Sequence, residues 1–204
     1  MSIVEDFFEK RVEDPKMLHE LFSACAYKLR KPDAKIYKVF MNYSEPLNPA
    51  RDLLTGILAS MFPESDTFTV EHYGLVELYD YYEEEDYKKS LFIFSDPPTK
   101  RAFNRIWMLA TSDRLYISRI LKPQTPVEFT GLVLVNTSHH WEVPDNHGVI
   151  INFKPLPLSQ ADKDRFLRNP KLGQELAEYL KYVYENPYCP ELERWDTVHC
   201  NKNA

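Results

Sequence analysis

Three of the six histidines fall within ten residues, Ser138-His139-His140-Trp141-Glu142-Val143-Pro144-Asp145-Asn146-His147. Imidazole titrates near neutrality, so His139, His140 and His147, with Glu142 and Asp145, have the residue types for a metal site or an acid–base pair. The spacing matches no zinc signature: His-Glu-x-x-His is absent, and adjacent histidines in an extended chain point to opposite sides. The stretch therefore reads as an exposed loop between two strands. His72, beside Tyr73 and near Tyr79, is a further acid–base candidate, placed on a strand. His72, His139, His140 and His147 stand as catalytic candidates only, and neither a metal nor a cofactor is expected. No serine sits in a Gly-x-Ser-x-Gly elbow, and Cys25, Cys189 and Cys200 have neither C-x-x-C spacing nor an evident histidine partner. Nucleophilic catalysis has no support in the sequence.

Phosphate chemistry is also disfavoured. The chain has 5 glycines, Gly56, Gly74, Gly131, Gly148 and Gly173, each far from the next. A phosphate cradle needs clustered glycines so that backbone amides can close on the oxygens. The net charge of −6 argues against a uniformly basic nucleic-acid binder. Direct nucleic-acid binding is not expected, although Lys88, Lys89, Arg101 and Arg105 lie among many aromatic residues. Charge is uneven: no Lys or Arg occurs between Asp52 and Asp86, a stretch rich in Asp and Glu. No apolar run approaches the roughly 20 residues of a membrane-spanning helix. The acidic start, Met1-Ser2-Ile3-Val4-Glu5-Asp6, lacks a basic leader, and the odd cysteine count suits a reducing compartment. An intracellular protein, cytoplasmic or nuclear, is expected.

The elements that must position these residues follow from periodicity and punctuation. Apolar spacing predicts helices over 3–12, from Asp14-Pro15 to Lys31, and from Asn48-Pro49 to Met61. Strands are predicted over 36–43, 67–82 (bent at Gly74), 91–94, 103–110, 115–121, 127–136 and 148–153. Two helices close the chain, one from Ser159 to Leu167 and one after Pro170 with Leu172, Leu176, Leu180 and Val183 on one face. Helices segregated from a run of strands imply an α+β fold. The expected architecture is a curved antiparallel sheet packed on N-terminal helices, cone-like, with additional C-terminal helices. The division is a sheet domain over 1–156, a helical appendage over 157–186 and a tail over 187–204.

The stretch from Arg101, Arg-Ala-Phe-Asn-Arg-Ile-Trp-Met-Leu-Ala-Thr-Ser-Asp-Arg-Leu-Tyr-Ile-Ser-Arg-Ile-Leu, resembles the penultimate hairpin of the nuclear transport factor 2-like family. The order of elements over residues 1–122 is similar as well. The family's Asn-Asp pair after the last strand's isoleucine is replaced by Ser118-Arg119. The resemblance implies a cone whose open sheet face pairs with a second subunit, as in messenger RNA export receptors and their small partners. The expected function is a non-catalytic protein-binding adaptor, in nucleocytoplasmic transport, forming a homodimer or heterodimer through the sheet face. Phe103, Trp107, Leu109, Tyr116 and Ile117 would carry that interface. The alternative is a small-molecule enzyme or ligand-binding protein using the cone interior around His72 or the 139–147 loop.

Overall fold

The first helices form where the caps and apolar spacing place them. In α1 (Ile3–Glu9) Ser2 and Glu5 make a reciprocal capping box. In α2 (Pro15–Arg30) the Asp14 carboxylate accepts from the Lys16 N–H. In α3 (Pro49–Ala59) the Asn48 side chain accepts from the amides of Ala50 and Arg51. The computed structural model describes residues 2–46, 48–70, 85–112, 114–117, 125–143 and 147–184. His72, Tyr73, Gly74 and Tyr79, the span 71–82 of the expected long strand, Ser118-Arg119 and the tail over 187–204 lie outside the described residues.

The sheet corrects the expected architecture. Strands β1 (Val39–Tyr43), β2 (Thr67–Val70) and β3 (Leu91–Ser95) are followed by a separate hairpin of β4 (Leu115–Ile117) and β5 (Thr125–Val127), then by β6 (Leu132–Thr137) and β7 (Gly148–Asn152). Five of these form one sheet in the order β2-β3-β6-β1-β7, and all its pairings are parallel. There is no curved antiparallel sheet and no cone among the described residues. The reason lies in burial: every residue from Val39 to Asn42, from Leu91 to Phe94 and from Leu132 to Thr137 is buried. Strands covered on both faces read as continuous apolar runs, the mark of a parallel sheet with helices on both sides.

The second correction explains the first. Residues 103–110, read as a strand, belong to helix α4 (Lys100–Thr111), which Thr99 caps through the Ala102 N–H. Ala102, Phe103, Ile106, Leu109 and Ala110 are its buried residues, a spacing of three and four. The same run also satisfies a short apolar strand, so periodicity alone did not separate the two. A helix here supplies the crossover that a parallel sheet needs.

Two apolar layers result. One packs α1, α2, α3, α5 (Gln160–Leu167) and α6 (Leu172–Tyr184) against Phe40, Ile93, Leu134 and Ile151 of the sheet. The other packs α4 with Leu115 and Val127 of the β4–β5 hairpin against Val39, Phe94, Val133 and Val135. Helices or the hairpin thus cover both faces of the central strands β1, β3 and β6 among the described residues. The C-terminal helices contribute to the first layer: the Phe166 ring lies tilted against Phe7 at 4.1 Å between ring centres, and Arg11 pairs with Asp162 at 3.0 Å. The Asp162 carboxyl is held below its usual range, chiefly by the Ser159 hydroxyl. Cys25 lies wholly inside this layer, and burial pushes its thiol up to about 12, so it is a packing residue.

Lys28 is the most unusual core residue. It is fully buried on α2, and its ammonium donates to the carbonyls of Pro32, Ala34 and Thr130. One side chain thus ties the end of α2 to the segment that enters β6. Burial lowers its pKa to about 8. Lys28→Met leaves three carbonyls without their donor and should cost about 3 kcal/mol, read from urea unfolding. Between pH 8 and the lysine's unfolded value near 10.5 the unfolded chain binds more protons, so the Lys28 contribution rises with pH across that window. The stability gap between wild type and Lys28→Met should widen from pH 8 to 10, and a constant gap would contradict the assignment.

Candidate functional site

Because the five strands are parallel, their carboxyl ends share one edge of the sheet. In open α/β folds ligands sit outside that edge, where successive connections leave toward opposite faces. Here β1 leads into α3 on the first layer, whereas the chain after β6 runs over the second layer, its Trp141 stacked on Phe103 of α4. The gap between the ends of β1 and β6 is therefore the place to look for chemistry.

That gap is filled by the chain's own polar groups. Asn42 and Asn136 are register partners on β1 and β6. The Asn42 amide donates to Asn136 Oδ1 at 3.2 Å, and the Thr55 hydroxyl of α3 reaches the same oxygen at 2.9 Å. Asp96, directly after β3, is the one non-glycine residue with positive φ (41°) among the described residues. Its N–H donates to the Asn136 carbonyl at 2.8 Å, and its carboxylate accepts from the Ser138 N–H at 2.9 Å and hydroxyl at 3.2 Å. Ser44 N–H donates to the Thr137 carbonyl at 3.2 Å. The ends of β1, β3 and β6 are thus sewn together by short polar side chains.

The unit β1–loop–α3 has the strand–loop–helix form of a phosphate-binding loop. Its residues, Ser44-Glu45-Pro46-Leu47-Asn48-Pro49-Ala50-Arg51, contain neither glycine nor lysine. Asn48 already accepts from two of the helix's first amides, and Pro49 has none to give. Glu45 is exposed beside them. The amides of Ala50 and Arg51, which would face a phosphate at this helix start, are taken up by Asn48, and a carboxylate stands beside them. Arg51 is 7% exposed; its Nε donates to Asp52 at 3.0 Å, and its Nη1 has no hydrogen-bond partner. Asn42 Oδ1 is likewise buried without a partner.

The histidines separate. His139 and His140 follow β6 at the carboxyl edge, both exposed, with His139 stacked on Trp141 and His140 tilted against Tyr43 at 3.8 Å between ring centres. The Trp141 indole donates to Thr137 Oγ1 at 3.2 Å, which fixes the column Phe103–Trp141–His139. His147 precedes β7 and so lies at the amino edge, its Nδ1 3.0 Å from the Tyr37 carbonyl and its ring against Trp107. A parallel connection spans the sheet from end to end, so His147 cannot join His139 and His140 around one ion. No group of three or more His, Cys, Asp or Glu residues suited to a metal occurs among the described residues.

The expected interface residues divide as well. Phe103 and Leu109 are buried in the α4 layer and Trp107 is half-buried, while Tyr116 is 57% exposed. Ile117 lies on β4, paired with Thr125. Sequence reasoning missed Asn42, Asn136, Thr55 and Asp96. The signal was an asparagine inside each of two apolar strands, since a polar side chain in a buried strand must find a partner.

No known protein family matches the chain, and no curated protein matches it. Solved structures do. The apo structure of the NrS-1 C-terminal region (305–718) superposes with a TM-score of 0.60 at 14% identity, over 89% of this chain and 44% of that one. The A form apo structure of the same region gives 0.62 at 15% identity, over 82% and 41%. A further A form structure, of residues 305–718, gives 0.59 at 15%, over 88% and 42%. The chain thus spans less than half the length of the structures it matches, and what it has in common with them is the fold.

Asp96 tests the sewn edge. Asp96→Ala removes two charge-assisted acceptor contacts and puts a Cβ-bearing residue without a local acceptor into a left-handed backbone. It should lower stability by about 2–3 kcal/mol in thermal or urea unfolding. An unchanged midpoint would mean that the Ser138 contacts carry no stability.

Proposed function

We propose that this chain is a non-catalytic protein-binding subunit built on a parallel α/β scaffold. One observation carries the reading: the carboxyl edge of the sheet, where such folds take small ligands, is closed by hydrogen bonds among Asn42, Thr55, Asp96, Asn136 and Ser138. Apart from Asn42 Oδ1, the polar groups that these side chains bring to the edge are engaged with one another. A filled interior of two apolar layers supports the same reading over the ligand-carrier alternative. Helix α4 occupies most of the residues that carried the hairpin resemblance, so that resemblance adds no transport role to this reading.

The face offered to a partner is the outer side of α4 with the β4–β5 hairpin. Met108 is 53% exposed on α4 and Tyr116 is 57% exposed on β4, with half-buried Trp107 on the same helix. Arg101 is exposed on α4 as well. Large apolar and aromatic side chains inside a polar rim are the usual anatomy of a protein contact.

Titration calorimetry with magnesium-ATP should give no saturable heat, and a saturable one would refute the closed-edge reading. The double variant Met108→Asp with Tyr116→Asp should unfold within about 0.5 kcal/mol of wild type, since both side chains are exposed. It should lose the partner that the wild-type chain retains from native lysate, or its self-association by sedimentation if the partner is a second copy. A variant that folds and keeps either association places the interface elsewhere.

A further inference from the structure

We draw no further inference here: the strongest candidate, the apolar groove along α3 past Gly56, where a Cβ would meet nothing within 4 Å, has rim charges that offset one another, Asp52 paired with Arg51 and Glu45 set against Lys163, and nothing in the structure shows what covers it.

Discussion

Burial of the central strands on both faces is the constraint from which the rest follows. The apolar runs of β1, β3 and β6 cannot face water on either side, so each needs a layer above and a layer below. Helices α1, α2, α3, α5 and α6 supply one layer, and α4 with a short hairpin supplies the other. A parallel arrangement then requires every connection to travel back along the sheet. This places α4 between β3 and β6 and carries the chain after β6 across the length of the sheet to β7.

The same geometry makes the carboxyl edge a place of decision. Five parallel strands end there, and polar residues near a buried edge must be satisfied by a ligand or by one another. This chain takes the second course at most positions. Asn136 serves Asn42 and Thr55, Asp96 serves Ser138, and Asn48 serves the first amides of α3. Proline and asparagine stand where a phosphate loop would need glycine and lysine. The strand–loop–helix form of a phosphate loop is present at β1–α3 without the glycines and lysine that such a loop uses.

Much of the element list was legible from the residues. Asp14-Pro15, Asn48-Pro49 and Ser159 marked helix starts, and each is a cap in the structure. The strand assignments at 91–94 and 148–153 match β3 and β7 closely. The expected strand over 127–136 is divided between β5 and β6 of separate sheets, and the misreading of 103–110 carried the larger consequence, because removing α4 removed a crossover and made an antiparallel meander the natural inference. Thr99 as a cap, with apolar positions at 102, 103, 106, 109 and 110, held the better answer. Histidine clustering misled for a related reason: His139 and His147 are near in sequence but belong to opposite ends of a parallel sheet.

The residues alone determined that certain strands are apolar throughout, that no clustered glycines are present to form a phosphate loop and that Cys25 and Leu18 lie inside. These follow from local chemistry, since side-chain polarity and backbone freedom are properties of each residue. Only the tertiary structure decided strand direction, the pairing of Asn42 with Asn136, the separation of His139 from His147 and the bareness of Gly56. Each of those depends on which distant segment comes to lie alongside, and that is set by how the layers cover the sheet as a whole.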